Sequence, residues 1–121
     1  EQHDISRMTI AIQSDSRTTD QLVKQLSKLI DIIEVRILDT GNTVFRELAL
    51  IKMKAHNPTS RMEITHFSNI FRAKILDVSK DSMMVEITGT PDKIDAFKSI
   101  VDPYGIIQIA RTGISALPRG V

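Results

Sequence analysis

Residues 88–111 read TGTPDKIDAFKSIVDPYGIIQIAR, and residues 15–36 read DSRTTDQLVKQLSKLIDIIEVR, a looser copy of the same plan. In the later stretch, TPD at 90–92 opens a helix whose inward residues are Ile94, Phe97, Ile100 and Val101, DPYG ends it, and IIQIAR is a strand. In the earlier stretch Thr18 followed by Gln21 is a capping-box pattern. Leu22, Val23, Leu26, Leu29 and Ile30 then form an apolar stripe on one helix face. Val23, Leu26, Leu29, Ile30 and Asp31 match Ile94, Phe97, Ile100, Val101 and Asp102, and IIEV at 32–35 matches IIQI at 106–109.

Working outward, each copy is preceded by an alternating segment. Met8, Ile10 and Ile12 of SRMTIAIQ share one face, as do Met83, Val85 and Ile87 of SMMVEITG. Before SMMVEITG stands a full set of elements. VFRELALIKMKA is a long strand with Phe45, Ala49, Ile51 and Met53 on one face and Leu48 and Leu50 on the other. NP at 57–58 supplies an N-cap and a proline at the first helical position. Ile64, Phe67 and Phe71 mark the buried stripe of that helix, and KD separates the strand AKILDVS from SMMVEITG in a hairpin. The first copy reads β-α-β and the second β-α-β-β-α-β. The chain is therefore α+β, two tandem ferredoxin-like βαββαβ units of which the first lacks its opening strand and helix. A period of about 70–75 residues is longer than that of a solenoid repeat. DTGNT at 39–43 is the turn between the units.

Composition removes several classes of function. There is no cysteine, so thiolate chemistry and disulfides are absent. Net charge is +1 with the signs interspersed, which opposes a general pull toward nucleic acid or anionic membrane. No apolar run approaches the roughly 20 residues of a membrane-spanning helix, and no signal peptide is visible. The glycines form neither GxGxxG nor a phosphate loop. His3, His56 and His66 lack metal-ligand spacing. Asp77 and Glu86 on neighbouring strands are a conceivable acid/base pair, but a solvated sheet face is the preferred reading. The aromatic residues are Phe45, Phe67, Phe71, Phe97 and Tyr104. Three of them sit on helix stripes, so the sheet offers no stacking platform for RNA. Met83 and Met84 must face opposite sides of their strand. A ferredoxin-like sheet carries helices on one face only, so Leu48, Leu50 and Met84 on the other need cover. A homodimer or higher oligomer through sheet pairing, or a partner subunit, is the expectation.

Five blocks carry a family resemblance: SRMTIAI at 6–12, RELALIKMKA at 46–55, IFRAKILDVS at 70–79, VEITGTPDKIDAF at 85–97 and IARTGISALPRG at 109–120. In that order they resemble the small regulatory subunits of acetolactate synthase (acetohydroxyacid synthase). The resemblance implies that residues 1–41 are the C-terminal half of an ACT domain and residues 42–121 a complete C-terminal ferredoxin-like (ACT-like) domain. It implies a subunit that is not itself catalytic and holds no cofactor or metal. Such a subunit binds and activates a large catalytic subunit carrying thiamine diphosphate, Mg²⁺ and FAD, and mediates feedback by a branched-chain amino acid effector such as valine. The family's effector loop has an N-x-x-G-x-L type motif, which residues 1–38 do not contain, so no effector-contacting residue is assigned. The candidates for contact with the large subunit are Phe71, Arg72 and Lys74, and the tail residues Arg111, Thr112, Gly113 and Arg119. The competing expectation for Arg72 and Arg111 is local pairing with Asp77 or Glu86. The implied setting is cytoplasmic, or a plastid if the source is photosynthetic. The alternative function is a stand-alone amino-acid-sensing module serving a different enzyme.

Overall fold

A computed structural model describes residues 8–10, 12, 15–29, 32 and 34–120. The chain divides into two compact units, one of residues 45–115 and one of residues 1–44 together with 116–121.

In the larger unit the order of elements follows from local signals. Strand β1 (Thr43–Lys54) has Glu47, Ala49, Ile51 and Met53 buried at alternate positions, as a pleated strand with one covered face requires. Asn57 then caps α2 (Pro58–Ile70): its side chain accepts the Ser60 N–H at 2.8 Å, and Pro58 opens the first turn. Strands β2 (Lys74–Val78) and β3 (Ser82–Gly89) form the hairpin. Thr90 caps α3 (Pro91–Val101), and β4 (Ile106–Arg111) follows a short 3-10 turn. Every pairing is antiparallel in the order β2-β3-β1-β4, the ferredoxin-like arrangement expected from the element order.

The core lies between this sheet and the two helices. Ile51, Met53, Val85 and Ile87 from the strands meet Ile64, Ile94, Phe97 and Val101 from the helices, all with no exposed surface. Phe67 and Phe71 are half-buried against them, and Phe71 meets Phe97 edge-on with centroids 5.3 Å apart. Ile100, expected inward, is 37% exposed. It lies next to Val101 on the helix, and the stripe needs only Ile94, Phe97 and Val101 to fill its side of the core. No sequence pattern marks Arg61, yet its guanidinium donates to the carbonyls of Ala55, Ser79 and Lys80. It ties α2 to the end of β1 and to the hairpin turn. Tyr104 donates to Glu63 Oε1 at 3.1 Å.

A fifth strand, β5 (Ser115–Pro118), pairs with β1. No sequence pattern announces it, because four residues ending in proline carry too little alternation to read as a strand.

In the smaller unit α1 (Ser16–Ser27) starts earlier than the capping-box pattern predicts. The cap is Asp15, whose Oδ1 accepts the Thr18 N–H at 2.8 Å, so Thr18 lies inside the first turn. A carboxylate at the positive end of a helix is favoured over a hydroxyl. That hydrogen bond, from Thr18, holds the Asp15 pKa below its ordinary value of 3.8. The sign follows: the cap is in force above pH 3.8 and is lost as the pH falls through the lowered pKa. Far-UV circular dichroism of Asp15→Asn is expected to lack the part of the acid titration that this carboxylate contributes in the parent chain.

Leu22, Val23 and Leu26 of α1 are half-buried and Leu29 is exposed, while Ile30 lies outside the described residues. The two strands expected to flank α1 are not formed over the described residues: Met8, Ile10 and Ile12 and residues 34–38 carry no strand. Met8 is 82% and Ile10 61% exposed. Alternation makes a segment competent to be a strand, but only ladder hydrogen bonds to a neighbour make it one.

Candidate partner-binding surface

The candidate residues fall on two connections of the larger unit and on the tail. The first connection is the turn from α2 into β2. Phe71 ends α2, its N–H bonded to the Phe67 carbonyl at 3.0 Å. Its ring is committed to the core through Phe97, so it is a packing residue. Arg72 follows with φ +55 and is exposed. A left-handed conformation at a non-glycine residue is uncommon, and here two hydrogen bonds hold it. The Arg72 N–H donates to Asn69 at 3.2 Å, and the Ala73 N–H closes on Ser68 at 2.7 Å. The turn projects the Arg72 side chain away from the core, and Arg72 makes no ion pair with a described residue. Lys74, at the start of β2, stands opposite Glu86 and is exposed.

The second connection leaves β4. Arg111 stands opposite Ala49 in the ladder and therefore points to the helix side of the sheet. There its Nη2 donates to Glu47 Oε1 and its Nη1 to Asp95 Oδ1, both at 2.6 Å. The Glu47 side chain is only 6% exposed, that of Arg111 29% and that of Asp95 60%. The hydrogen bonds to Glu47, and then to Asp95, push the Arg111 pKa above its ordinary range. One cation thus links β1, β4 and α3. The expected pairing of Arg111 with Asp77 or Glu86 is overturned by strand parity. Asp77 stands opposite Met84 and Glu86 opposite Leu50, on the other face of the sheet. Asp77 accepts from the Ser79 hydroxyl at 2.8 Å and is exposed, and Glu86 is half-buried, so these two carboxylates lie on the sheet face away from the helices.

Thr112 continues the ladder beyond β4: its N–H donates to the Leu48 carbonyl at 3.0 Å and its Oγ1 accepts the Leu48 N–H at 3.1 Å. Gly113 then turns the chain at φ +82 with no atom within 4 Å of where a Cβ would stand. Its requirement is conformational and not steric, so Gly113→Ala is expected to cost about 1–2 kcal/mol in chemical denaturation. Arg119 is exposed, and its N–H donates to the Asn42 carbonyl at 2.8 Å.

The structure therefore separates the seven candidates. Arg72, Lys74 and Arg119 present charge outward. Phe71 and Arg111 are engaged in internal contacts, and Thr112 and Gly113, both exposed, set the course of the backbone. Among the described residues no group of three or more His, Asp or Glu side chains is arranged to hold a metal ion, and no helix is long and apolar enough to cross a membrane. His56 lies 3.5 Å from Asp81, both exposed, and His66 is exposed on α2.

Comparison with known proteins supplies the remaining observation. A family model described as the small subunit of acetolactate synthase matches residues 46–120. A probable acetolactate synthase small subunit of Methanothermobacter thermautotrophicus is 48% identical over 116 residues, covering 96% of this chain and 69% of that protein. The acetolactate synthase small subunit of Mycolicibacterium smegmatis is 45% identical over 120 residues, covering 99% of this chain and 70% of its own length. The crystal structure of the acetolactate synthase small subunit from Thermotoga maritima superposes with a TM-score of 0.80 at 38% identity, over 90% of this chain and 68% of that one. The resemblance in the five sequence blocks, the β2-β3-β1-β4 sheet and these matches agree: the chain belongs to the family of acetolactate synthase small subunits.

Proposed function

We propose that this chain is a regulatory subunit of acetolactate synthase that performs no chemistry itself. It docks on the large catalytic subunit and raises its turnover in branched-chain amino-acid biosynthesis, in the cytoplasm. Thiamine diphosphate, Mg²⁺ and FAD belong to the large subunit in this reading, and end-product feedback by a branched-chain amino acid acts through the small subunit. The observation that carries it is the 48% identity over 96% of the chain to a small subunit. Residues 1–41 are read as the later half of an ACT domain. The exposed Met8, Ile10 and Leu29 support this, since such apolar positions need a covering layer.

The geometry favours a narrower docking surface than the seven candidates. Arg72 is exposed, fixed by its turn and unpaired, so it can meet a carboxylate of the large subunit without giving up an internal bond. Arg111 cannot, because both its terminal nitrogens are engaged. The test is reconstitution with a purified, weakly active large subunit. Addition of the chain is expected to raise acetolactate formation and to co-elute with the large subunit. Arg72→Glu is expected to weaken that association by roughly 10-fold or more while leaving the melting temperature unchanged. No activation and no co-elution by the parent chain would remove this reading in favour of an amino-acid-sensing module for another enzyme.

A further inference from the structure

Both helices of the larger unit bury one face against its sheet, yet their outer faces differ in kind. Along α3, Asp92 and Asp95 are exposed and Lys98 is half-buried, and along α1 the exposed residues include Arg17, Asp20 and Lys24. A charged outer face of that kind is ordinary for a helix in water. Helix α2 buries Ile64 and Ser68. Away from them it carries Met62, His66 and Ile70 at i, i+4 and i+8, with Met62 73% and Ile70 60% exposed and His66 exposed as well. The two charged side chains of α2 are drawn into internal bonds. The Arg61 guanidinium is spent on the carbonyls of Ala55, Ser79 and Lys80, and Glu63 accepts from Tyr104. A shallow depression lined by Arg61, Met62, Thr65, His66 and Asn69 lies along this stripe. Two residues beyond Ile70 stands Arg72, exposed and without an ion pair to a described residue.

We propose that the outer stripe of α2, closed at one end by Arg72, is the surface on which the large catalytic subunit sits. The inference rests on the regulatory reading above and narrows it to one face of one helix. An apolar centre free of acids and lysines, with an arginine at its margin, has the composition of a protein interface. From Met62 to Ile70 the stripe runs about 12 Å along the helix. Its apolar side chains supply the contact that excludes water, and Arg72 sets the orientation. Charge decides the occupant. The unpaired charge that ends the stripe is positive, so the complementary surface is apolar with a carboxylate at its margin. A second copy of the stripe does not offer one: it carries no acid, and Glu63 beside it is already engaged by Tyr104. Nucleic acid and anionic membranes are held by several cations acting together, and this stripe ends in one.

The test is association of the chain with a purified large subunit, measured beside activation. Met62→Glu and Ile70→Glu are each expected to weaken association by about 10-fold or more, because each sets a charge in the apolar contact. Met62→Leu is expected to bind as the parent does, and Ser99→Glu on the exposed side of α3 is expected to change neither association nor activation. Circular dichroism checks that each variant is folded. Should a glutamate variant unfold, Met62→Cys in this cysteine-free chain reads the same surface. Its alkylation, followed by mass spectrometry, is expected to slow by about 10-fold when the large subunit is added, since thiol reactivity follows access, whereas alkylation of Ser99→Cys is expected not to change. A parent chain that neither binds nor activates removes the regulatory reading and this surface with it. A parent that binds while Met62→Glu and Ile70→Glu bind equally well, or a Met62→Cys thiol that the large subunit does not protect, overturns the surface alone. So does a Met62→Glu chain that loses self-association and keeps the large subunit, which would give the stripe to a second copy.

Discussion

Phe97→Ala is expected to destabilise the chain by about 3–5 kcal/mol, the range for emptying a fully buried aromatic site. Phe97 has no exposed surface and is among the largest such side chains in the core. It stands at the junction of α3, the sheet and the end of α2, edge-on to Phe71. Truncation removes both its own packing and the partner of Phe71, an aromatic pair worth about 0.5–1.5 kcal/mol beyond area. A unit of this size has a total stability of about 4–10 kcal/mol, so the change consumes much of it. Urea denaturation followed by circular dichroism is the measurement. Phe97→Leu, which keeps most of the volume, is expected to lose less than half as much. Equal losses in the two variants would show that packing at this site does not set the stability.

Arg111→Ala is expected to cost about 2–4 kcal/mol. The bond to exposed Asp95 contributes little, because surface ion pairs are worth about 0–1 kcal/mol. The larger part comes from Glu47, which stays buried with its carboxylate unpaired once the guanidinium is removed. Adding Glu47→Gln to Arg111→Ala is therefore expected to recover more than half of the loss. A neutral amide costs far less to bury than a carboxylate. Arg111→Lys is expected to rescue only in part, because a single ammonium cannot span Glu47 and Asp95 in the forked geometry. Should the double variant be no more stable than Arg111→Ala, the buried charge is not the source of the cost. Arg111→Ala also separates scaffold from contact. Its effect on activation of a large subunit should follow its effect on stability, whereas Arg72→Glu should alter activation alone.

Much of the larger unit was legible in its sequence because its signals are local. Asn57-Pro58 and Thr90-Pro91 announce helix starts through groups within three residues. Alternation in residues 83–87 states which side chains face the helices, and Met83 and Met84 divide between the faces as alternation demands. The family was legible for a related reason, since blocks such as IFRAKILDVS and IARTG hold their residues contiguously. Other features had no local signal. Thr18 and Asp15 are both good cap residues, and the preference for Asp15 rests on a carboxylate reaching the Thr18 N–H. Arg61 is an ordinary helix residue until the fold brings three carbonyls to its guanidinium.

The kind and order of the elements in residues 43–111, and hence the ferredoxin-like sheet, follow from local signals, because helix caps and pleat alternation act over a few residues. Which charges meet depends on long-range pairing. Arg111 reaches Glu47 and not Glu86 because strand register assigns each residue to a face, and register depends on bulges and on pairing between segments as much as 64 residues apart. For the same reason β5 exists where no pattern announced it, while the alternating residues 8–12 remain outside any strand over their described positions.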